Sequence, residues 1–326
     1  MARAHHTLIS GMKDEGPFIL EWVAHHLVLG FDRICVATND CSDGSDRLLD
    51  ALAAAGHVEH LINRVSAGQI PQHAGYDAMR ARFGIDDTEW LAVLDADEFL
   101  NVHVGAGLVS DLTGAAGDAD IISLHALCFA DKPQVNWQPG PICPTFPWAL
   151  AVGHKANRAM KSLTRGPARF NHVHNHSLVG FKGKPGDLRI MGGDGTRHAP
   201  VKGVPLWQQL RNDDLRPGAH ALAQYNHYAV KTWDAFNLRR VRGRGAVADG
   251  SVRHTDAYFH DRNVPAVRET SIARYQAAVA LRMADMVQDA RVAAAQADCD
   301  RIYGALCAPW RRRVLENEIG VGKAGG

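Results

Sequence analysis

Three acidic side chains follow an apolar stretch of the chain. Residues 90–94 read WLAVL, and Asp95, Asp97 and Glu98 come directly after them. In an open α/β sheet, ligands bind beyond the carboxyl ends of the strands. Carboxylates at such an end repel each other and lose hydration, and a divalent cation relieves both penalties. Because Mg²⁺ and Mn²⁺ take oxygen ligands and bridge to phosphates, the motif predicts a metal–diphosphate site. A solvated acidic turn is the alternative, since D-x-D alone is a common sequence.

The elements that would position this motif are predicted upstream and just downstream of it, where strand and helix periods alternate. Strands are predicted at 7–10, 33–38, 58–63, 90–94 and 121–124, and helices from Pro17 to Gly30, from Ser45 or Asp46 to Gly56 and from Gly75 to Phe83. The strand at 90–94 is apolar throughout, which is typical of a central strand buried on both faces. The pattern predicts an α/β fold with a mostly parallel sheet and flanking helices.

The remainder of the chain has weaker periodicity. Glycine and proline are frequent from 126 to 217, which predicts short strands and long loops that cover a site. The last long segment carries an apolar stripe at helical spacing. We therefore expect a main domain at 1–250, a helical extension packed on it at 251–319 and a disordered tail at 320–326.

Composition excludes several classes of protein. The chain has 326 residues and a net charge of +1 from 36 basic and 35 acidic residues, so nothing indicates nucleic acid as a partner. Its six cysteines form no C-x-x-C pair, which disfavours a cysteine zinc site and a disulfide framework. No apolar run approaches the ~20 residues that span a bilayer. These features predict a cytoplasmic protein with at most peripheral membrane contact, through the Trp310–Arg313 segment.

Several segments together resemble one family. They read KDE at 13–15, EWVAHHLVLG at 21–30, NDCSDG at 39–44, DADEF at 95–99, KS at 161–162 before HVH at 172–174, and NHYAVKTW at 226–233 before Phe236. Their order is similar to that of family-2-like glycosyltransferases related to the family 92 group. The resemblance spans roughly residues 6 to 245. Asp14 replaces the usual asparagine, and the loop at 130–132 lacks the family's F-G-S-S-G form, so the acceptor is undefined.

The resemblance implies a GT-A fold, so that 1–250 would be the GT-A catalytic domain, and a nucleotide-diphosphate sugar donor used with Mn²⁺ or Mg²⁺. It also implies inverting transfer to a glycan or a lipid-linked acceptor. Lys13, Glu15 and Asp40, with Asp43 behind them, would bind the donor, because carboxylates can accept hydrogen bonds from a uracil N–H or from ribose hydroxyls. By resemblance a UDP-sugar is favoured, with guanosine and thymidine donors as open alternatives. The alternative for Asp40 and Asp43 is that they only build a turn.

Histidines and basic residues complete the predicted site. In extended backbone His172, His174 and His176 share one face. By resemblance, His174 would join Asp95 and Asp97 as the third metal ligand, and Asp95 would also face the donor. A separate zinc site and uninvolved surface histidines are the alternatives.

A basic cluster begins within the NHYAVKTW segment and continues after it, at Lys231, Arg239, Arg240, Arg242 and Arg244. Lys231, Arg242 and Arg244 would stabilise the departing diphosphate. A solvated helix face is the alternative for this run.

A carboxylate is also expected as the general base that deprotonates the acceptor. Asp131, Asp187 and Asp234 are candidates, and Asp131 comes first because the family's acceptor loop usually lies there. The leading hypothesis is thus a metal-dependent glycosyltransferase. A nucleotidyltransferase is the second enzyme considered, although residues 11–15 hold one glycine rather than a glycine-rich phosphate loop. A non-catalytic sugar-binding module is the third possibility.

Overall fold

The computed structural model describes residues 5–131, 134–211, 215–243 and 254–312. The strands are β1 (His6–Met12), β2 (Arg33–Thr38), β3 (Glu59–Ile62), β4 (Trp90–Val93), β5 (Glu98–Val102), β6 (Ile121–Cys128), β7 (Trp148–Ala149), β8 (Met160–Arg165), β9 (Phe170–Val173), β10 (Leu178–Phe181), β11 (Ile190–Gly192), β12 (Arg197–His198), β13 (Ala223–His227) and β14 (Val267–Arg268). The helices are α1 (Gly16–Val28), α2 (Ser45–Ala54), α3 (Pro71–Phe83), α4 (Val109–Ala115), α5 (Ile142–Thr145), α6 (Leu206–Arg211), α7 (Trp233–Arg242), α8 (Asp256–Arg262), α9 (Gln276–Met286) and α10 (Ala290–Cys307). Arg244, the boundary at 250 and the tail at 320–326 lie outside the described residues.

The main sheet has ten strands. Eight follow the order β12-β11-β6-β8-β4-β1-β2-β3, while β13 pairs with β6 and β5 pairs with β13. Strands β1 to β4 pair in parallel, and β8 runs antiparallel between β4 and β6. All four residues of β4 are buried, as their apolar sequence predicts. The predicted α/β class, with a mostly parallel sheet and flanking helices, is confirmed, and this architecture agrees with the GT-A expectation.

Helix α1 positions the acidic motif. Pro17 stands in its first turn, where a missing N–H costs nothing, and the helix buries eleven of its thirteen residues. The indole Nε1 of Trp22 donates to the carbonyl oxygens of Asp95 and Glu98, at 3.0 and 2.9 Å. A buried tryptophan therefore fixes the turn between β4 and β5. This restricts where the carboxylates of the turn can lie.

The C-terminal segment forms two helices rather than one continuous helical stretch. Helix α9 ends at Met286, and Asp289 caps α10, because its carboxylate accepts a hydrogen bond from the backbone N–H of Arg291 at 2.9 Å. The Tyr303 ring on α10 meets the rings of Phe18 and Trp137, with centroids 5.4 and 5.0 Å apart. One continuous hydrophobic core therefore joins the C-terminal helices to α1.

Across the described residues, no helix combines the length and the apolar character that crossing a membrane requires.

Candidate active site

A cavity of about 430 Å³ opens beyond the carboxyl ends of β1, β2 and β4. This volume is within the usual range of small-ligand sites. The residues predicted from sequence that line it are Lys13, Glu15, Asp40, Asp95, Asp97, His174 and Arg242. Segments widely separated in the chain thus meet at one edge of the sheet, where an α/β protein binds ligands.

The turn between β1 and α1 forms one wall. Asp14 has a positive φ of 51°, and its Oδ1 accepts the backbone N–H groups of Ser42 and Asp43 at 2.6 and 3.2 Å. Glu15 is buried, forms an ion pair with Arg242 and has Lys231 Nζ at 3.9 Å. The aspartate that departs from the family pattern therefore joins two strand-end loops, while Glu15 faces Arg242 of α7 and Lys231, which precedes that helix.

The structure corrects the donor-binding role predicted for Asp43. Its side chain is completely buried and is absent from the cavity lining. Its Oδ2 accepts the N–H of Gly16 at 2.7 Å, and its Oδ1 accepts the N–H and hydroxyl of Ser45 at 2.9 and 2.6 Å. With its oxygens used by these loops, Asp43 builds the turn, which is the alternative given from sequence, and is not placed to bind a donor.

Asp95 and Glu98 share a buried lysine. Lys161 Nζ lies 3.0 Å from Asp95 Oδ2 and 2.9 Å from Glu98 Oε2, and the lysine side chain is only 2% exposed. The other oxygen of Asp95 accepts a hydrogen bond from Gln72 Nε2 at 2.9 Å. Burial raises the pKa of Glu98 to about 8; Lys161 opposes this rise and the Asp95 carboxylate adds to it. A lysine from β8 thus lies between two carboxylates of this motif and reduces the repulsion predicted for it.

Asp97 is held by residues from later in the chain. It forms an ion pair with Arg239, and His227 Nε2 lies 3.6 Å from its Oδ2. Burial favours the neutral carboxyl, but the charges of Arg239 and His227 outweigh it and hold the pKa of Asp97 well below its usual range. Strand β13 pairs antiparallel with β5 and sets His227 opposite Glu98, which delivers the imidazole to the motif.

His174 lines the opposite wall. Its ring stacks on Trp207 with centroids 5.7 Å apart and planes 9° apart, and the ring of His73 lies 5.0 Å away. Burial lowers its pKa to about 4, so the imidazole is neutral at pH 7. Because β9 ends at Val173, His174 and His176 lie in the turn before β10, and the extended arrangement of three histidines is not formed.

The predicted metal ligands do not form a ligand set in this structure. Within the described ranges, no three side chains of His, Cys, Asp and Glu lie close enough together to hold a metal ion. Asp95 is engaged by Lys161 and Gln72, and Asp97 by Arg239. The side chains present therefore do not fit a divalent cation, and we derive no chemical step through one. Metal dependence stays a prediction.

The basic residues of α7 divide between two faces. Arg239 and Arg242 line the cavity, whereas Arg240 turns away and pairs with the exposed Asp256. Lys231 is buried beneath the cavity and supports Glu15. Since Arg239 and Arg242 contact cavity carboxylates, the predicted functional role of this cluster has geometric support, and the solvated-face alternative describes Arg240 better.

The predicted general base lies apart from this arrangement. Asp131 follows β6, its backbone N–H donates to Asn263 Oδ1 at 3.0 Å, and it is absent from the cavity lining. Asp234, another candidate, is completely buried and accepts the N–H of Trp137 at 2.9 Å and the hydroxyl of Thr232 at 2.7 Å. The geometry thus favours a structural role for Asp234, and the role of Asp131 stays a prediction.

Sequence reasoning misses the direct partners of the acidic motif. It assigns no role to His227, it considers Lys161 for contact with phosphate or acceptor rather than with the acidic motif, and it places Arg239 in the basic cluster without a partner. One signal is present, because His227 and Lys161 both lie inside the segments that carry the family resemblance. Their pairing with Asp97 and Asp95 depends on β13 and β8, whose places in the sheet the sequence pattern does not reveal.

Comparison with known proteins finds relatives of the same group that the sequence motifs resemble. No family model matches the chain. A glycosyltransferase family 92 protein of Ricinus communis is 30% identical over 126 residues, which cover 38% of this chain and 22% of that protein. Another, from Oryza sativa subsp. japonica, is 22% identical over 181 residues, covering 54% of this chain and 30% of that protein. The chain is similar to glycosyltransferase family 92 proteins. It spans less than a third of the length of these curated relatives.

Solved structures give weaker similarity. Residues 1–349 of S. aureus TarS match with a TM-score of 0.31 and 11% identity, covering 94% of this chain and 91% of that one. An active-site mutant of LgtC matches with a TM-score of 0.25 and 12% identity over 80% of this chain and 85% of that one. These TM-scores are too low to support an argument, so the family 92 resemblance rests on sequence.

Proposed function

We propose that this chain is a glycosyltransferase that moves a sugar from a nucleotide-diphosphate donor to a glycan or lipid-linked acceptor with inversion. The observation that carries the proposal is the strand-end cavity, which gathers Glu15, Asp40, Asp97, Arg239 and Arg242 from distant parts of the chain. Similarity to family 92 glycosyltransferases supports the same activity.

The cavity offers separate groups for the nucleoside and for the diphosphate of a donor. Asp40 is exposed at the end of β2, where its carboxylate can accept hydrogen bonds from ribose hydroxyls or a base N–H. On the family resemblance we favour a UDP-sugar, with guanosine and thymidine donors as the alternatives. Arg239 and Arg242 offer positive charge to the diphosphate, where negative charge develops as the sugar–phosphate bond breaks. A fixed cation at that position lowers the barrier because it needs no reorganisation during the reaction.

Inversion further requires a base that takes the proton of the acceptor hydroxyl as its oxygen attacks the anomeric carbon. Asp131 stays our predicted base on resemblance alone. Replacing it by asparagine should reduce transfer by about 100-fold or more, as expected for loss of a general base. Turnover kept within a few-fold of wild type would remove Asp131 from this role.

A donor-hydrolysis screen tests the function. The chain is incubated with UDP-, GDP- and dTDP-sugars, with Mn²⁺ or with chelator, and with pyrophosphate added in a parallel set. We expect one nucleotide sugar to yield free sugar and nucleoside diphosphate, and Asp97→Asn to lose this reaction. Arg240→Gln is the matched control, because Arg240 lies on the same helix but pairs outside the cavity.

The products separate this proposal from its alternatives. Formation of sugar 1-phosphate and nucleoside triphosphate from pyrophosphate would indicate a nucleotidyltransferase and contradict a glycosyltransferase. If no donor were hydrolysed or bound, the result would contradict a glycosyltransferase and favour a non-catalytic sugar-binding module.

A further inference from the structure

The carboxylates at the inner end of the cavity are in contact with basic side chains of the protein. Asp95 and Glu98 share Lys161, with N–O distances of 3.0 and 2.9 Å. Asp97 pairs with Arg239, and Glu15 pairs with Arg242. Each carboxylate that a family 92-like metal site would use therefore already has a cationic side chain in contact.

A divalent cation would have to displace these partners. The side chains of Asp97 and Lys161 are each only 2% exposed. Removing one member of a buried ion pair leaves the other charge unpaired in a poorly solvated place, which is strongly unfavourable. A metal at Asp97 would impose this on Arg239, whereas a metal at Asp95 would leave Lys161 paired with Glu98 alone.

Arg239 retains free hydrogen-bonding capacity toward the cavity. Its Nη1 contacts Asp97 and donates to the carbonyl of Ala229 at 2.9 Å. Among the described residues its Nε and Nη2 have no hydrogen-bond partner, and its side chain is 19% exposed at the cavity wall. A guanidinium carries five N–H donors in a planar fork that matches phosphate oxygens. Arg239 can therefore hold Asp97 on one side and a phosphate on the other.

Two more cations line the cavity. Lys13 lies at the end of β1 and Arg211 at the end of α6, and neither has a carboxylate partner within the part of the chain that the structure describes. Their charges are available to a ligand with several negative charges. The positive charge that a diphosphate requires is thus present in side chains alone.

Resting on the function proposed above, we propose that Arg239 replaces the divalent cation, bridging Asp97 to the donor diphosphate so that nucleoside diphosphates bind this chain without metal. Asp97 then acts as a positioning residue, since it orients the guanidinium rather than a metal ion. Lys161 contacts both Asp95 and Glu98, so its charge reduces the repulsion between the acidic motif and the diphosphate.

Titration calorimetry on the metal-stripped chain tests this inference. UDP, GDP and dTDP are titrated in EDTA and then in Mn²⁺, and the free Mn²⁺ signal is followed by electron paramagnetic resonance without nucleotide. We expect one nucleotide to bind with Kd values within about 3-fold in the two buffers, a difference worth under 1 kcal/mol. We also expect the wild-type chain to leave the free Mn²⁺ signal unchanged.

Variants of α7 separate Arg239 from its neighbour. Arg239→Gln should weaken nucleotide binding by about 30-fold in EDTA, the effect of losing charge-assisted hydrogen bonds. Arg239→Lys keeps the charge but not the fork and should recover only part of this loss. Arg240→Gln should leave Kd within about 2-fold, since a surface pair outside the cavity contributes little.

A double variant keeps the test decisive if Arg239→Gln alone does not fold. Should Arg239→Gln fail to fold with Asp97 unpaired, the Asp97→Asn/Arg239→Gln double variant removes both charges, and its nucleotide binding should be equally weak. Wild-type binding that appears only with Mn²⁺ would overturn the metal-free inference and leave the glycosyltransferase proposal standing. Absence of nucleotide binding in both buffers would contradict both.

Discussion

Two acidic turns stand at the ends of neighbouring strands, and they use their carboxylates differently. The turn after β2 buries Asp43, whose partners are backbone and hydroxyl groups of Gly16 and Ser45. The turn after β4 buries Asp97, whose partner Arg239 is 142 residues away along the chain. Residue type and position are alike, but the first carboxylate joins loops and the second belongs to a charged cluster in a cavity.

The difference lies in the partners. Backbone N–H groups are fixed by the fold and have a single donor each, so a carboxylate bonded to them is held in the loops and its partners have no further donor for a ligand. A side-chain cation such as Arg239 has further donors and can serve a carboxylate and a ligand together. A buried aspartate at a strand end therefore indicates a site only when its partners are themselves charged side chains that reach a cavity.

The largest expected effect is on stability, at the β2 turn. Asp43→Ala removes three hydrogen bonds to a buried carboxylate and leaves their donors unpaired, which should cost about 4 kcal/mol. Urea unfolding measures this, with Asp40→Ala as the control, because Asp40 is an exposed aspartate of the same turn. Equal stability of the two variants would abolish the contrast between the turns.

Glu21 is another buried carboxylate that, like Asp43, accepts hydrogen bonds from backbone N–H groups. It accepts the N–H groups of Ile142 and Cys143, and burial, which outweighs these bonds, raises its pKa from 4.5 to about 7. Because the folded pKa exceeds the unfolded one, the associated stability is complete below pH 4.5 and is lost as pH rises through about 7. The loss is about 3 kcal/mol.

Unfolding measured across this pH range checks the effect. Glu21→Gln has no group to titrate and should flatten the profile between pH 4.5 and about 7. A variant profile as steep as that of wild type would assign the dependence to another group.

A double-mutant cycle sharpens the contrast at the β4 turn. Asp97→Asn and Arg239→Gln should each destabilise the chain, since each leaves a buried partner uncompensated. The double variant should recover about 2 kcal/mol relative to the sum of the single losses. Thermal or urea unfolding of the four proteins gives the coupling. Strict additivity would mean that the contact between Asp97 and Arg239 contributes nothing in solution.

The smallest effect is expected at His174. Its ring packs on Trp207 and His73, so His174→Ala should cost about 1 kcal/mol of stability through lost ring contacts. Nucleotide binding with Mn²⁺ should change by less than about 3-fold, worth under 1 kcal/mol. A strong loss confined to the Mn²⁺ buffer would instead support the metal ligation predicted from sequence.

The N-terminal half was predictable because its signals are local. Strand and helix periods, with Pro17 and Gly30 at the ends of α1, predicted β1 to β4 and α1 to α3 close to their observed bounds. The strand-end rule then placed Lys13, Glu15, Asp40 and Asp95 around one cavity.

Long-range pairing was not predictable from the same signals. The short strands β5 and β13 carry little periodicity, so the sequence could not show that His227 would lie beside Asp97. The burial of Lys161 between two carboxylates depends on β8 running antiparallel to β4, which nothing local requires. The electrostatic prediction therefore named carboxylates that do lie together at the cavity, but it could not show that Lys161 and Arg239 contact them.

The most direct test of the central claim is a crystal structure of the chain with UDP and chelator. We predict uridine beside Asp40 and Glu15, and the diphosphate within hydrogen-bond distance of Arg239 Nε or Nη2 while Nη1 still contacts Asp97. Nucleotide bound outside this cavity, or a diphosphate that does not contact Arg239, would contradict the account.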